Sequence, residues 1–328
     1  MRILIAVIVI AALAWGGYWF VGASAVERGL TAWLEARRAD GWTVAYDGLN
    51  TSGFPNRFDT TVTGLTLADP QSGLGWSGEI AQILALSYKP NHVIAALPHL
   101  QSITTPFDDI AVTSDRMRGS VVFAPNTSLA LDHSAFIAET VTVTGRSGWS
   151  VSLDEGRLAT RRAVARENAH DIGLELLGFA PTSDLRSRLD PEGTLPAALE
   201  TLKIDATAAF DAPWDRSALG ADRPELTALD VTSARMIWGD MTLEATGALT
   251  VDEAGTPTGL VTVTATQWRG MLDMAVAAGL VQDGLKDTVE KGLALLSGGS
   301  DSVTMPLNFA KGLVSLGPVP LGPAPRLR

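Results

Sequence analysis

An uncharged apolar segment near the N-terminus constrains this chain more than any other feature of its sequence. From Ile3 to Val21 there is no charged side chain, and Trp15, Tyr18 and Trp19 lie towards the end of the segment. About 20 apolar residues in a helix cross the hydrocarbon of a bilayer. Arg2 precedes the segment, which favours a cytoplasmic N-terminus, and aromatic residues collect at membrane interfaces. The pattern therefore predicts a single transmembrane helix, with the rest of the chain beyond the membrane.

A second interpretation of this segment is a signal peptide that is removed after export. Ala23-Ser24-Ala25 has the small-x-small pattern of a signal-peptidase site. However, the apolar run is longer than the usual signal core of about 7–15 residues, and helical spacing continues over residues 26–39. We favour an uncleaved anchor over residues 1–24, while cleavage after Ala25 stays open. Residues 25–328 are exported in both interpretations.

The composition limits the kinds of site that the exported part can hold. Of the 328 residues, 46% are hydrophobic, which is enough for a substantial core. The formal net charge is -11 and no segment gathers Lys and Arg, so the chain would repel a polyanion such as nucleic acid. Cysteine is absent, which excludes disulfides, thiolate metal sites and a cysteine nucleophile. We therefore expect no nucleic-acid partner.

From Trp42 onward, apolar and polar residues alternate in short runs that Gly, Pro, Asp and Asn interrupt. Alternation with a period of two is typical of half-buried strands. Strand-like runs precede helical ones without regular alternation, which favours an antiparallel sheet. We predict a mainly β protein with a few helices (α+β), in which the transmembrane helix is followed by an elongated, mostly antiparallel curved sheet. The clearest strand runs are 80–88, 121–123, 136–144, 149–153, 202–210, 236–251 and 260–266.

Other local patterns predict helices, a turn and a domain junction. Residues 251–260 place a Gly- and Pro-bearing loop between two alternating runs, which indicates a hairpin. The tail over 317–323 is rich in proline and cannot form an interior strand. The stretch 181–196 is a candidate junction between two similar halves of the exported domain. Helical spacing occurs over residues 26–39, 271–280 and 283–296, and Gly298-Gly299 ends the last of these helices.

The motifs of known catalytic chemistry do not occur in the context that the chemistry needs. Residues 73–78 match the dinucleotide-binding spacing, but a turn precedes them and a strand-like run follows, so we interpret them as a hairpin turn. Carboxylate pairs such as Asp108-Asp109 are interpreted as solvated surface rather than as a general acid and base. We predict no catalytic residue, no cofactor and no metal site. The histidines do not pair at ligand spacing; they are His92, His99, His133 and His170.

Short motifs beginning at residues 53–58 carry a resemblance that extends almost to the C-terminus. They continue at residues 86–92, 238–239, 247–259 and 312–320. Through them the chain resembles an uncharacterised bacterial family catalogued as domain of unknown function 2125. More loosely, it resembles the AsmA-like envelope proteins, in which an N-terminal anchor precedes a β-rich periplasmic body. The motif residues, which we interpret as structural, are Gly53, Phe54, Pro55, Phe58, Tyr88, Lys89, Pro90, Asn91, His92, Trp238, Gly239, Gly255, Gly259, Gly317 and Pro318.

This resemblance implies a location and a role. The expected location is the bacterial inner membrane, crossed once, with the bulk of the chain in the periplasm. AsmA-like proteins are associated with outer-membrane assembly and lipid movement between membranes, and an envelope role of that kind is implied here. Within the motifs, Phe54 and Phe58 predict a core-packed strand entry around Pro55. Residues 88–92 are interpreted as a strand end entering a turn, with a polar binding role for Lys89, Asn91 and His92 as the alternative.

Three functions follow from these expectations, in descending order of support. The first is a non-catalytic, membrane-anchored envelope protein that holds or guides lipid, since a curved sheet with apolar residues on its concave face can shelter acyl chains. The second is a structural or assembly factor that binds another envelope protein through exposed edges or patches. The third is an envelope hydrolase, which needs a cleft where acidic residues and a histidine converge.

Overall fold

The protein is described by a computed structural model that covers residues 1–219, 223–279, 281–317 and 319–327. Leu280 and Pro318, which the sequence analysis named, lie outside these residues. The chain divides into two compact units. The first unit comprises Met1–Pro125 and Phe136–Trp149, and the second comprises Asn126–Ala135 and Ser150–Arg328. The predicted junction over residues 181–196 lies inside the second unit.

The first unit consists of one long helix and antiparallel strands. Strand β3 pairs with β1, β2 and β4, while β4 also pairs with β5 and β6. Further pairs are β5 with β8, β6 with β7, and β7 with β9. The elements are α1 (Arg2–Ala39), β1 (Thr43–Ala45), β2 (Gly48–Ser52), β3 (Arg57–Asp69), β4 (Leu74–Leu86), β5 (Lys89–Ala96), β6 (Leu100–Thr104), β7 (Asp109–Thr113), β8 (Arg116–Phe123) and β9 (Leu131–Gly145), whose first residues belong to the second unit.

From Trp15 onward, helix α1 packs on the strands of the first unit. Its buried side chains, Trp19, Ala23 and Leu34, lie on one face, as their spacing predicts for an amphipathic contact. Gly22 allows the closest approach, because a Cβ at this position would lie 2.6 Å from Cζ of Phe58. The predicted helix over residues 26–39 is therefore the continuation of the N-terminal helix rather than a separate element. The helix is long and apolar enough to cross a membrane.

In the second unit, consecutive strands pair in sequence order. Each strand from β10 to β17 pairs antiparallel with the next along the chain. The strands are β10 (Ser150–Arg162), β11 (Ala169–Phe179), β12 (Leu199–Phe210), β13 (Leu226–Trp238), β14 (Met241–Val251), β15 (Pro257–Thr266), β16 (Ser302–Ala310), β17 (Leu313–Leu316) and β18 (Val319–Pro323). The helices are α2 (Ser183–Leu189), α3 (Trp268–Ala277) and α4 (Lys286–Ser297), with 3-10 turns at Arg216–Leu219 and Asp283–Leu285.

The sheet of the second unit has one apolar face and one polar face. Successive side chains along a strand point to opposite faces, so the register assigns each cross-strand row to one of them. One row of partners is Leu174, Ile204, Ala234, Ala245, Val263 and Met305, from β11 to β16. The neighbouring row on the opposite face is Glu175, Lys203, Arg235, Glu244, Thr264 and Thr304. The alternation seen in the sequence thus produces a sheet that separates apolar from charged side chains.

Helices α3 and α4 cover part of the apolar face. Their buried residues Trp268, Leu272 and Leu293 form one core cluster with Ala265 and Val303 of the sheet. Helix α3 begins at Trp268, three residues before the predicted start, and α4 ends at Ser297 with Gly298 as its C-cap, so the predicted end at Gly298-Gly299 is confirmed. The predicted fold class, mainly β with antiparallel pairing and an N-terminal apolar helix, is confirmed.

Two local predictions are settled by the strand bounds. The glycine motif over 73–78 contains the start of β4 and is followed by strand rather than by a helix N-terminus, so the hairpin interpretation is confirmed. The hairpin over 251–260 joins β14 to β15. In the proline-rich tail, Val319–Pro323 forms a short strand that pairs with β17.

Candidate functional site

The apolar face of the second unit contains a cavity of about 370 Å³ beneath helices α3 and α4. Five of the seven methionines of the chain line it, two from helix α3 and one each from strands β13, β14 and β16. The lining comprises Leu189, Met236, Trp238, Met241, Leu243, Ala265, Trp268, Met271, Leu272, Met274, Ala275, Ala278, Val281, Val289, Leu293, Met305, Leu307, Leu316 and Leu321. Each of these side chains is hydrocarbon, thioether or indole, so the cavity offers almost no hydrogen-bonding partner to a ligand.

The sheet wall of the cavity follows directly from the strand register. Met236 pairs with Leu243, and Trp238 pairs with Met241 across the tight turn between β13 and β14. Leu243 in turn pairs with Ala265 on β15. These partners stand side by side on one face of the sheet. The apolar residues at alternate positions of β13, β14 and β15 therefore form the sheet wall of the cavity.

The helical wall depends on Trp268 at the start of α3. Its side chain is 1% exposed and its Nε1 donates a hydrogen bond to the carbonyl oxygen of Ser300, at 3.1 Å. This bond satisfies the one polar group of the indole, so the ring can be buried without a desolvation cost. Because Leu272 lies one helical turn later, it points to the same side. Trp268 thus fixes the beginning of α3 over the sheet.

The cavity is not a filled core, because much of its lining is only half-buried. Met236, Met271, Met274 and Met305 each retain part of their surface, whereas Trp268 is buried. An apolar space that opens to solvent in this way can receive an apolar guest from outside. Methionine side chains are flexible and polarizable, so they adapt to guests of different shape. A volume of about 370 Å³ lies within the usual range for ligand pockets, about 300–1,000 Å³.

Titratable groups gather at the far end of β10 and β11, away from α3. The Nδ1 atom of His133 lies 2.9 Å from Asp132, and Arg162 lies 3.2 Å from the same carboxylate. These groups are largely exposed, so their ion pairs contribute little to stability. His170 is buried, and its Nδ1 has no hydrogen-bond partner among the described residues. In the described part of the chain, no group of three or more His, Asp or Glu side chains could hold a metal ion.

Burial makes the stability of the second unit depend on the charge of His170. Burial lowers the pKa of His170, and the positive charge of Arg162 lowers it further, against smaller opposing effects of Asp171 and Asp132. The folded state therefore favours the neutral ring, and its contribution is complete above the ordinary histidine pKa of about 6.5. It is lost as the pH falls below that value. We expect the melting temperature to decrease between pH 7 and pH 5, and His170→Gln to flatten this decrease. A variant that keeps the full wild-type slope would contradict this assignment.

The motif at residues 53–58 anchors helix α1 to the first unit. Trp15 Nε1 donates to the carbonyl oxygen of Pro55 at 3.0 Å, and Trp19 Nε1 donates to that of Arg57 at 2.7 Å. The ring of Trp19 contacts those of Phe54 and Phe58, with centroids 5.4 and 6.0 Å apart. Phe58 is buried as predicted, whereas Phe54 is more than half exposed. The 53–58 motif is thus the surface on which the N-terminal helix packs. This contact was not predicted from the sequence.

The second motif lies beside the first and begins strand β5. Tyr88 is exposed, and Lys89 and Pro90 open the strand. Asn91 Nδ2 donates to the carbonyl oxygen of Phe123 at 2.8 Å, which ties β5 to the end of β8. His92 is partly buried and pairs in register with Val122. Residues 89–92 therefore begin a strand rather than end one, and Asn91 joins two strands. The alternative of a polar binding role for Lys89, Asn91 and His92 stays a prediction.

Among the remaining motif residues, Trp238 is the one that reaches the cavity. Its Nε1 donates to the carbonyl oxygen of Pro196 at 2.9 Å, and the ring forms part of the cavity wall. The adjacent Gly239 donates its N–H to Glu200 at 3.0 Å. Gly255 lies in the loop between β14 and β15, and Gly317 follows β17. Gly259 has a φ of +150° and a Cβ there would collide with the carbonyl oxygen of Ala248, so the close pairing of β14 and β15 requires glycine.

The methionines that line the cavity were not predicted from the sequence as a site. Their signal was their distribution, since five of seven fall between residues 236 and 305. A flexible apolar residue type concentrated in one segment is typical of adaptable binding surfaces. Strands β13 to β16 lie side by side in the sheet, and α3 packs over them. This arrangement brings the five methionines around one cavity, and the sequence alone does not show it.

Comparison with known proteins places the chain in a family. No curated protein and no solved structure matches it. A family model described as an uncharacterized protein conserved in bacteria matches residues 19–325. The match begins at Trp19, inside helix α1, and therefore includes Trp19 and Phe20, which contact the 53–58 motif, but not Trp15. Since the match spans nearly the whole chain, this protein belongs to the DUF2125 family.

Proposed function

We propose that this protein is a membrane-anchored envelope protein that holds an apolar chain, such as the acyl chain of a lipid, in the methionine-lined cavity of its second unit. The observation that carries the proposal is the cavity itself, with five methionines and no charged residue in its lining. Removing apolar surface from water contributes about 25 cal/mol per Å². An aliphatic chain is the guest that such a surface favours.

The volume of the cavity limits the size of the ligand that it can hold. About 370 Å³ lies near the lower end of the range for ligand pockets, about 300–1,000 Å³. This volume suits one acyl chain better than an intact lipid with two chains and a headgroup. The apolar rows of β11 to β16 extend beyond the helices, and their side chains are partly exposed. These rows offer further apolar surface for the remainder of a lipid.

The location is the second part of the proposal. An apolar N-terminal helix is present, and its length and composition suit either a membrane anchor or a signal sequence. Two of its residues that precede the predicted cleavage site, Trp19 and Ala23, are buried against the first unit. Retention of the helix is supported by these contacts. We place the helix in the bacterial inner membrane and both units in the periplasm.

A photo-crosslinking experiment tests the proposal on the full-length chain in bilayer nanodiscs. A fatty acid that carries a diazirine is added, irradiated, and its attachment sites are mapped by peptide mass spectrometry. We expect adducts on peptides that contain Met236, Met241, Met271 and Met274. Adducts confined to helix α1, which lies in the bilayer, would refute the cavity as a lipid site.

A cavity-filling variant makes the experiment specific. Ala275 lines the cavity from α3, so Ala275→Trp places an indole in the space that the guest needs. We expect adducts on the cavity peptides to fall at least about tenfold, which corresponds to about 1.4 kcal/mol of lost binding, while adducts on α1 remain. Ala248→Trp is the matched control, since Ala248 is exposed and pairs with Leu260 on the polar face of the sheet. Equal labelling in both variants would contradict the proposal.

A further inference from the structure

We propose that the loop around Phe54 and Pro55, together with Tyr88, is a membrane-contacting surface that enters the lipid bilayer beside helix α1. The inference goes beyond lipid binding in the cavity and rests on the transmembrane part of the proposed function. Its occupant is the lipid surface of the membrane that α1 crosses.

The position of the loop is fixed by the contact between Trp15 and Pro55. Trp15 lies 13 residues after Arg2 in one uninterrupted helix, so the two are separated by about 20 Å along the axis. The hydrocarbon core of a bilayer is about 30 Å thick. With Arg2 at one surface, Trp15 is still inside the hydrocarbon. Because Trp15 Nε1 donates to the carbonyl oxygen of Pro55 at 3.0 Å, the loop reaches the same depth.

The side chains around this contact are aromatic and exposed. Phe54 is 56% exposed, Tyr88 57% and Phe20 63%, although all three are large and apolar. Phe54 stacks on Phe20, with ring centroids 5.8 Å apart. Tyrosine and tryptophan are enriched where proteins pass through the membrane interface. The exposed rings thus form a patch that continues from the helix onto the loop, in the residue types that lipid contact favours.

Hydrogen bonds inside the protein satisfy the carbonyl groups of Gly53, Pro55 and Ser87, in and beside the loop. In the hydrocarbon, non-helical backbone is tolerated only when its polar groups find partners within the protein. The carbonyl oxygen of Pro55 accepts from Trp15 and from Ser87 Oγ, and that of Gly53 accepts from two backbone N–H groups. The carbonyl oxygen of Ser87 accepts from Tyr18 Oη at 2.6 Å. The aromatic donors Trp15 and Tyr18 both belong to α1. The helix therefore supplies hydrogen bonds that carbonyl groups need in the absence of water.

The charged residues nearest to the loop lie towards the membrane surface. Arg57, whose carbonyl oxygen accepts from Trp19 Nε1, carries its side chain in an ion pair with Asp59 at 3.0 Å. Lys89 is exposed and follows Tyr88. Trp19 lies four residues after Trp15, about 6 Å nearer to the far surface of the membrane. Long basic side chains at this level can extend to lipid phosphates.

Single-cysteine variants test the inference cleanly, because the chain contains no cysteine. Phe54→Cys and Tyr88→Cys are labelled with a nitroxide, and the full-length chain is reconstituted in vesicles of phosphatidylethanolamine and phosphatidylglycerol. Power-saturation spectroscopy then compares collision with oxygen, which concentrates in lipid, and with a water-soluble nickel chelate. We expect an oxygen-to-nickel ratio at both positions that is severalfold above the aqueous value.

Two matched positions define the scale of this measurement. Leu13→Cys reports the membrane span, since Leu13 lies within the apolar segment of α1. Phe107→Cys is the reference for a position in water, because Phe107 is 97% exposed. Its loop packs near Gly73, at the end of β3 and β4 that is opposite to the Phe54 loop. The length of these strands separates the two loops by about 40 Å. Replacing Phe54 removes one ring of the aromatic cluster around Trp19 and can disturb the loop. Tyr88→Cys leaves this cluster intact and is therefore the control for such a disturbance.

The outcomes separate the inference from the proposals on which it rests. If positions 54 and 88 both match Phe107→Cys while Leu13→Cys reports lipid, the helix spans the membrane but the loop does not enter it, and the inference is overturned. If Leu13→Cys itself reports water, the transmembrane helix and the inference fail together. The photo-crosslinks on the methionine peptides are unaffected by either result, so the cavity proposal is judged independently.

Discussion

Replacing Trp268 by alanine is expected to lower the free energy of unfolding of the second unit by about 3–5 kcal/mol, the usual cost of truncating a buried tryptophan or phenylalanine. Trp268 is 1% exposed, belongs to the core cluster with Leu272, Leu293 and Val303, and donates a hydrogen bond to Ser300. The variant loses the packing of the indole and leaves the Ser300 carbonyl without this donor. The wall over the cavity is expected to loosen as a result.

The effect can be located as well as measured. Denaturant unfolding of the full-length chain in mild detergent gives its size, and hydrogen exchange of peptides from β15, α3 and β16 shows whether the loss is confined to this region. Trp33→Ala is the matched control, since Trp33 is 46% exposed on α1 and its main contact is a cation–π interaction with Arg37. We expect the control to cost less than about 1 kcal/mol. Equal losses in the two variants would contradict the proposed role of Trp268.

A chain that begins at Val26 is expected to lose most of the stability of its first unit. Cleavage at this point removes Trp19 and Ala23 from the core and exposes the ring of Phe58, which is 6% exposed in the full-length chain. The loss of the tryptophan alone is expected to cost about 3–5 kcal/mol. Since whole domains are stable by only about 5–15 kcal/mol, the truncated first unit is expected to be partly unfolded at room temperature.

The control for this truncation begins at Ala14. It lacks most of the apolar segment but keeps Trp15, Tyr18 and Trp19, with their hydrogen bonds to the 53–58 and 86–92 motifs. Both chains are studied in the same mild detergent, by thermal unfolding and by hydrogen exchange of β2 and β3. We expect the longer chain to be the more stable, and we expect protein purified from cells to retain residues before Ala25. A stable chain from Val26 onward would instead favour the signal-peptide interpretation.

The patterns that predicted the fold correctly are those that act over a few residues. Alternation in Leu202–Phe210 and Leu260–Thr266 predicted strands, and the register shows that the same alternation separates the two faces of the sheet. The run Met236–Val251 instead contains the end of β13, a turn at residues 239–240 and β14. Spacing of three and four residues predicted α3 and α4 to within a few residues of their ends. These features arise from local geometry, which the sequence carries directly.

The features that could not be predicted depend on contacts between distant residues. Trp15 and Pro55 are 40 residues apart, and nothing in either segment names the other as its partner. The cavity likewise requires α3 to fold back over β13 and β14, which places Met271 and Met274 opposite Met236 and Met241. Phe54 illustrates the limit: its motif predicted a packed strand entry, and the side chain is in contact with α1 yet more than half exposed.

The pairing of consecutive strands in the second unit has a consequence for how proteins of this architecture can change in evolution. Each strand from β10 to β17 pairs with the one that follows it, so a hairpin inserted between two neighbours would extend the sheet without breaking other pairs. One added hairpin lengthens the apolar face by about 10 Å, the width of two strands. The reach of this surface is therefore a modular trait, adjustable by duplication of hairpins while the helix-covered cavity keeps its form.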